Sequence, residues 1–444
     1  MMRRLVAAVA VLAVAAPAAV AQDTLAIEQG VRVGITYTPG VRPGLLVLGG
    51  ERAFALDSVR AMVSRDLEYS DEFEMIALPM GDSMSLRIVR ENGDGESGPF
   101  VNYPLYAALG ADYAVDVYPD PLDGTPMVTL FNVAASARQR EIRVDVSAPG
   151  DPEFRLAVHR AADELVRSVT GQLGVAASRL LFVNRGRVYR VDSDGADVRP
   201  ISEDGVQAMS PAWAPDGRRM IYMEFPSSLY EHVIATGRRT LVPVTAEAQN
   251  FTPVYAPDGE TIAFSRATDE GTDIYTYNLA AQCCLQRLTV GRLYDNLSPT
   301  FSPDGRRIAF VSNRPGLTQI YVMGMDGTGQ ELFAPFEWGV TGSSNAPEWS
   351  PDGRYVTFHR EVERSPQIFV MDVATRTVRQ LTSAGRNFDP TWAPDNRHVA
   401  FVSERTGSRQ VWVIDIETGR VRQLTRLGEA RLPSWSPRIT APIN

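Results

Sequence analysis

Ser298-Pro-Thr-Phe-Ser-Pro-Asp-Gly305 decides the fold of this chain, because variants of the same stretch recur throughout its second half. Full copies begin at Ser210, Thr252, Ser298, Ala346 and Asp389, and a truncated copy begins at Leu432. The second proline of each copy stands at residues 215, 257, 303, 351, 394 and 437, so successive copies are 42, 46, 48, 43 and 43 residues apart. A period of about 40 to 50 residues is the length of one four-stranded propeller blade. The repeat therefore predicts a six-bladed β-propeller.

Each part of the repeat has a structural reason. In the Pro-Asp-Gly turn, proline presets φ, the aspartate bonds nearby backbone N–H groups, and glycine or asparagine accepts a positive φ. The aromatic residue before the turn can fill the space between neighbouring sheets. In the copy at Ser298, a second strand follows at Ile308-Ala-Phe-Val311 and a third at Ile320-Tyr-Val-Met323. Fourth strands end in Arg-Leu-Thr at residue 289 and in Arg-Gln-Leu-Thr at residues 382 and 425.

The two ends of the repeat region complete each other. Residues 179–202 supply the second, third and fourth strands of a blade that has no first strand of its own. Leu432 to Pro437 is a first strand with no blade after it. Pairing the two closes a ring over residues 179–438, and closure removes the exposed sheet edges that promote aggregation.

Residues 22–172 show no internal repeat and predict a small α/β domain. One helix carries Val59, Met62, Val63 and Leu67 on a single face. A second helix is expected to begin at Asp151 and to end before Gly171. Strands are expected at residues 84–90, 111–118, 127–133 and 139–147. The predicted fold is therefore an α+β N-terminal domain followed by an all-β six-bladed propeller that the C-terminal strand closes.

Residues 1–21 have the pattern of a secretory signal peptide. Arg3 and Arg4 precede an apolar run from Leu5 to Ala16, and Ala19-Val-Ala21 offers small residues to a signal peptidase. The apolar run is short for a membrane span of about 20 residues. We expect cleavage before Gln22 and a soluble, exported chain that is peripheral to membranes and monomeric.

Composition excludes several classes of function. The net charge is -9, with 44 basic and 53 acidic residues, which argues against nucleic acid as a partner. Every basic residue is arginine, so catalysis by a lysine, such as Schiff-base chemistry, is excluded. The sequence has no Gly-x-Ser-x-Gly elbow, and its four histidines show no metal-ligand spacing. We predict no catalytic residue, no metal and no cofactor.

Two further motifs receive structural interpretations. Cys283 and Cys284 are adjacent, too close for an ordinary unstrained disulfide, and are expected to be two plain strand residues. Asp192-Ser-Asp-Gly-Ala-Asp197 resembles part of a calcium loop but lacks the distal glutamate, and we interpret it as a turn.

The connections that enter each first strand are expected to surround the mouth of the channel. Asn250, Asn296 and Asn387 stand three residues before the proline of their copies, and Asn345 stands two before. Such a ring of short polar side chains suits an inserted peptide, but asparagine also suits turn geometry, and both interpretations stay open. The longest connection, Ala334 to Asn345, carries Trp338, which could anchor a partner or pack on its own blade.

The leader, the small α/β domain and six repeats ending in Leu432-Pro-Ser-Trp-Ser-Pro437 together resemble the TolB family, the periplasmic component of the Tol–Pal envelope system. Ala108-Leu-Gly-Ala-Asp112 extends the resemblance into the first domain. The segment from Tyr37 to Gly50 departs from the pattern of the family.

The resemblance implies a non-enzymatic interaction protein that maintains outer-membrane integrity and constriction during cell division. It implies binding of the peptidoglycan-associated lipoprotein Pal in the mouth and of TolA through residues 22–34, with other outer-membrane lipoproteins as further candidates. The Pal surface would consist of Met209, Asn250, Asn296, Asn345, Asn387 and Arg431. The residues alone leave two alternatives open: an exported propeller enzyme, a lyase or glycosidase acting in the channel, and a scaffold propeller with another peptide partner.

Overall fold

The computed structural model describes residues 42–50, 54–77, 86, 88, 100–144, 153–244, 248–314, 316–334 and 342–440. The expected signal peptide, the segment 22–41, Trp338, and Asp151 at the expected helix start all lie outside the described residues, as does most of the strand expected at 84–90. No helix within the described ranges is both long and apolar enough to cross a bilayer.

The N-terminal part is a mixed sheet with helices on both faces. Its elements are β1 (Gly44–Val47), α1 (Phe54–Tyr69), β2 (Glu74–Met75), α2 (Tyr103–Ala108), β3 (Tyr113–Pro119), β4 (Pro126–Asn132), β5 (Ala137–Arg143) and α3 (Phe154–Thr170). The strand order is β2-β1-β3-β4-β5; β1 runs parallel to β2 and β3, and the remaining pairs are antiparallel.

The apolar faces of α1 and α3 pack on this sheet and form its main core. Val59, Met62, Val63 and Leu67 are all buried, as their spacing predicts. α3 ends at Gly171, whose φ of 81° is the left-handed cap conformation that favours glycine. Strands β3 and β4 lie within two residues of their predicted bounds at each end, and β5 begins two residues before and ends four residues before the predicted segment 139–147.

Six antiparallel sheets of four strands follow. Blade 1 combines β29 (Ala430–Trp435) with β6 (Arg179–Asn184), β7 (Arg187–Asp192) and β8 (Arg199–Pro200), and blade 2 is β9 (Ala208–Trp213), β10 (Arg219–Glu224), β11 (Ser228–Val233) and β12 (Arg239–Leu241). Blade 3 is β13 (Gln249–Tyr255), β14 (Thr261–Thr268), β15 (Gly271–Asn278) and β16 (Cys283–Arg287), and blade 4 is β17 (Asn296–Phe301), β18 (Arg307–Ser312), β19 (Gln319–Gly324) and β20 (Glu331–Leu332). Blade 5 is β21 (Ser344–Trp349), β22 (Tyr355–Val362), β23 (Ser365–Asp372) and β24 (Val378–Gln380), and blade 6 is β25 (Asn387–Trp392), β26 (His398–Ser403), β27 (Gln410–Asp415) and β28 (Val421–Gln423).

The C-terminal strand closes the ring. β29 pairs antiparallel with β6, with Ala430 opposite Asn184 and Trp435 opposite Leu180. This pairing completes blade 1 and confirms the predicted six-bladed propeller. The closing strand also contacts blade 2, where the Trp213 indole N–H donates to the Ser434 carbonyl at 3.2 Å.

The aromatic residue of each first strand fills the space between consecutive blades. Trp392 of blade 6 packs with Ile368 and Val370 of blade 5, and Trp349 of blade 5 packs with Ala309 and Ile320 of blade 4. The predicted reason for the aromatic position is thereby confirmed.

Cys283 and Cys284 are joined by a disulfide, so the expectation of two unpaired strand residues is wrong. Cys284 has a left-handed backbone, with φ of 68°, and the pairing of β15 with β16 shifts register between Thr276 and Asn278. A regular strand would place neighbouring side chains on opposite faces. The left-handed residue breaks this alternation, and the two sulfur atoms can meet.

The N-terminal domain rests on blades 1 and 6, at the turns between first and second strands and between third and fourth strands. The linker is held by Asp163 of α3, whose carboxylate accepts the backbone N–H groups of Ala176 and Ala177 at 2.8 and 2.9 Å. A small apolar cluster of Leu156, Ala177 and Ile439 joins the two domains. Most other contacts between the domains are charged.

Candidate functional site: the channel mouth

The mouth lies on the side of the ring opposite the N-terminal domain. It is formed where each first strand begins, together with the turns between second and third strands, such as residues 225–227 and 404–409. Arg397 and Asp194, which contact the N-terminal domain, lie in the turns at the other end of the strands. Loops at one end of a rigid ring are where binding residues concentrate.

A bulge interrupts every first strand at the same place. The residue before the first repeated proline has a left-handed backbone in all six blades, with φ of 48° at Ser210, 49° at Thr252, 50° at Ser298, 50° at Ala346, 47° at Asp389 and 49° at Leu432. Strand pairing shifts register across each of these positions. The left-handed conformation of a non-glycine residue costs about 1–2 kcal/mol of conformational free energy. The propeller has six such residues, at the same height along the channel.

The residue before each bulge forms what we call the mouth ring: Met209, Phe251, Leu297, Asn345, Phe388 and Arg431. All six side chains are half-buried or exposed, with Met209 at 41% exposure, whereas the residue that precedes each of them is buried. Four of the six are apolar. The mouth ring therefore presents an apolar surface with one amide and one guanidinium.

Three of the predicted site residues are not on this surface. Asn250, Asn296 and Asn387 are at most 2% exposed, so the expected ring of accessible asparagines is corrected. The Asn387 amide donates to the Gln367 side chain at 2.8 Å and to the Ala384 carbonyl at 3.2 Å. Side chains so engaged fix the loops of the mouth, which supports the turn interpretation for these three.

Each buried asparagine accepts a hydrogen bond from an arginine at the end of the second strand. The donors are Arg266 to Asn250 at 3.1 Å, Arg314 to Asn296 at 3.2 Å and Arg405 to Asn387 at 3.3 Å, and in blade 5 Arg360 donates to Ser344 at 2.9 Å. Each guanidinium also lies over an aromatic ring, as with Arg405 at 4.8 Å from Trp412. The sequence pattern did not reveal these arginines because they lie outside the aligned motif.

The other three predicted residues, Met209, Asn345 and Arg431, belong to the mouth ring. Sequence reasoning missed Phe251, Leu297 and Phe388, although all three stand at the same repeat position as Met209. That alignment is the signal that could have identified them.

Exposed apolar residues extend the mouth ring across its loops. Phe225, Val290, Leu293 and Leu317 are 67%, 60%, 96% and 45% exposed on blades 2 to 4. Apolar area concentrated in this way marks an interaction surface. The opposite side of the mouth is more charged: Arg386 and Arg409 lie 5.2 and 5.4 Å from the Phe388 ring.

Two titratable groups of blade 5, His359 on β22 and Glu348 on β21, hydrogen-bond to the first strand of blade 6 and hold the framework. The Asp389 backbone N–H donates to His359 Nδ1 at 3.3 Å, and burial lowers the pKa of this imidazole. Glu348 Oε1 accepts from the Thr391 hydroxyl at 2.9 Å and the Trp392 backbone N–H at 3.0 Å, and burial raises its pKa to about 7.

The groups of His and Asp that come within metal-ligand distance, among the described residues, are not at the mouth. They are Asp66, His159 and Asp194, and Asp71, His398 and Asp415, both near the N-terminal domain. Arginines pair with the acids in each group, as Arg155 does with Asp194 at 2.7 Å and Arg397 with Asp415 at 2.8 Å. These guanidinium groups supply the positive charge that an ion would otherwise bring.

Comparison with known proteins gives one consistent result. Residues 166–335 and 338–441 match the family model described as the TolB beta propeller domain. The Tol-Pal system protein TolB of Anaeromyxobacter sp. (strain K) is 31% identical over 287 residues, or 62% of each chain, and that of Alcanivorax borkumensis is 28% identical over 229 residues. The chain thus spans about three fifths of the length of the first of these relatives. The crystal structure of TolB from Acinetobacter baumannii superposes with a TM-score of 0.73 at 20% identity, covering 90% of this chain and 98% of that chain, which shows a shared fold.

Proposed function

The chain belongs to the TolB β-propeller family, and on that premise we propose that it is a non-enzymatic interaction protein of the Tol–Pal system in the periplasm. Its mouth binds the peptidoglycan-associated lipoprotein Pal, and its segment 22–34 binds TolA. By joining these partners it maintains the outer membrane and its constriction during division.

The observation that carries this proposal is the apolar mouth ring. Six residues in equivalent positions, four of them apolar, remain half-buried or exposed although an ordinary repeat could turn them inward. Large apolar residues surrounded by charged loops suit a protein partner better than a sugar or a small polar substrate. The TolA contact rests on the family resemblance alone, because residues 22–34 lie outside the described residues.

The test is binding of the mature chain, residues 22–444, to the soluble domain of Pal from the same cell. Met209→Arg combined with Arg431→Glu places charge on the mouth ring without touching a buried side chain, and should weaken binding by at least about tenfold. Leu241→Arg is the matched control, because Leu241 is 52% exposed on the outer strand β12, away from the mouth. Equal affinity for the native chain and the double variant would contradict the proposal. Turnover of an oligosaccharide by the native chain would favour the enzyme alternative.

A further inference from the structure

His398 bridges the two domains through both of its ring nitrogens. Its Nδ1 lies 2.6 Å from Asp395 Oδ2 in the propeller, and its Nε2 lies 3.1 Å from Asp71 Oδ2, just after α1 of the N-terminal domain. Ionised carboxylates only accept hydrogen bonds. A neutral imidazole has one N–H group and can donate to only one of them, so this arrangement is satisfied only by the imidazolium ion.

The surroundings of His398 are charged on every side. Asp395 also accepts the backbone N–H groups of Arg397 and His398, which holds its carboxylate toward the ring. On the N-terminal side, Asp71 pairs with Arg420 at 2.8 Å and with Arg42 at 3.8 Å. Asp415 of β27, Glu72 and Arg422 of β28 are the other charged groups that act on the ring. Carboxylates outweigh the desolvation of the ring, and the pKa of His398 is raised to about 9.

Arg422 lies in the same contact, with its guanidinium against an aromatic ring of the N-terminal domain. Its three guanidinium nitrogens are buried without a hydrogen-bond partner among the described residues, and the group lies 4.3 Å from the centre of the Tyr69 ring of α1. Beside it, Arg397 pairs with Glu72 across the same contact. The apolar contribution between the domains comes mainly from Leu156, Ala177 and Ile439, on α3 and the two ends of the propeller.

We propose that His398 is a cationic clasp, and that loss of its proton releases the N-terminal domain from blade 6 while both domains stay folded. After the proton is lost, one of the two carboxylates faces a ring nitrogen that carries no hydrogen. His398 then no longer donates hydrogen bonds to both domains. Because the pKa of His398 is raised from 6.5, the stabilisation of the domain contact by the imidazolium is fully present below pH 6.5 and is lost as the pH rises through about 9.

The first test is the protonation state of the four histidines by nitrogen NMR of the imidazole rings, assigned with single His→Gln variants. At about pH 8, His398 should carry two N–H groups, whereas His232 and His359, whose pKa values burial lowers, should be neutral. Asp71→Asn should lower the pKa of His398 by about one unit or more. A neutral His398 ring at pH 7, or a stoichiometric metal ion in place of its proton, would overturn the proposal.

The second test is release, followed by hydrogen exchange of the full mature chain. Asp71→Asn should raise exchange about tenfold or more in residues 68–74 and at the start of β26, with β18 and β19 unchanged. The native chain should show the same local change above about pH 9. Asp57→Asn is the control, since Asp57 lies on the same helix and its ion pair in the described part of the chain, with Arg60 at 2.7 Å, is within its own domain. Unchanged exchange in Asp71→Asn, or a rise spread over both domains, would refute the clasp.

Discussion

At the scale of single residues, the position of a residue in the repeat predicted where it lies in the blade but not which groups its side chain hydrogen-bonds. The sequence places Asn250, Asn296 and Asn387 at the entrance of their strands, and the structure has them there, inside the sheet. Their burial depends on arginines at the ends of the second strands, such as Arg405, which donates to Asn387 at 3.3 Å. These arginines follow their asparagines by 16 or 18 residues and lie outside the repeated motif, so the motif alone does not pair them with the asparagines.

Glu348 gives a prediction at this scale. The pKa of this half-buried carboxyl is raised from 4.5 to about 7. The contribution of the protonated group to folding stability is therefore fully present below pH 4.5 and is lost as the pH rises through about 7. Glu348→Gln keeps the acceptor for Thr391 and Trp392 and removes the charge. The variant should be more stable than the native chain by about 1–2 kcal/mol at pH 8 and nearly equal at pH 4.

The measurement is denaturant unfolding at both pH values. Glu361→Gln serves as the control, because Glu361 is exposed on β22 of the same blade and its replacement should change stability little at either pH. A variant that is destabilised at pH 8 would show that the ionised carboxylate is held by favourable interactions instead.

At the scale of elements, strands and turns followed from the repeat, but the bulge did not. A residue before proline is normally extended, because the proline ring disfavours the α region for its neighbour. The structure has the opposite in all six blades, and residues as different as Leu432 and Asp389 adopt it. The conformation is imposed by pairing with the second strand before and after the bulge, which a local preference does not report. The Cys283–Cys284 disulfide was missed for the same reason, since it depends on a left-handed residue in β16.

Substitution of Ala346 tests whether the left-handed backbone of the bulge lowers the stability of the folded chain. Glycine adopts the left-handed region freely, so Ala346→Gly should stabilise the chain by up to about 1 kcal/mol, although glycine in an ordinary strand destabilises it. Ala212→Gly is the control, because Ala212 lies on β9 just after the bulge and has no positive φ; it should cost about 0.5–1 kcal/mol. Thermal unfolding of both variants measures the difference. Equal destabilisation by the two changes would mean that Ala346 carries no such cost.

At the scale of the whole molecule, closure of the ring could be predicted by counting strands in the sequence. The contact between the N-terminal domain and the propeller could not be predicted. An incomplete blade at one end and an extra strand at the other predict closure without any knowledge of packing. The contact between Arg397 and Glu72 joins residues 325 positions apart, and neither residue stands out in the sequence. The same holds for His398 and Asp71, which only the structure brings together.

Removal of the closing strand should therefore affect both domains. A chain that ends at Glu429 lacks β29, leaves β6 as an open sheet edge, and also loses Arg438, which donates to the carbonyls of Leu173 and Gly174 in the linker. We expect aggregation or loss of a cooperative thermal transition. A chain that ends at Thr440 keeps all these contacts and is the control. An unchanged melting temperature in the shorter chain would contradict closure by β29.

The closing strand also has a consequence for biogenesis. The Trp435 indole N–H donates to the Ser178 hydroxyl at 2.8 Å, across 257 positions of sequence. Contacts of such long range form late and slow the folding reaction. During synthesis, β6 of blade 1 keeps an unpaired edge until the strands of the five other blades and then β29 have been made. A ring that closes this late keeps an open sheet edge through most of its folding, and such an edge is a template for pairing with another strand.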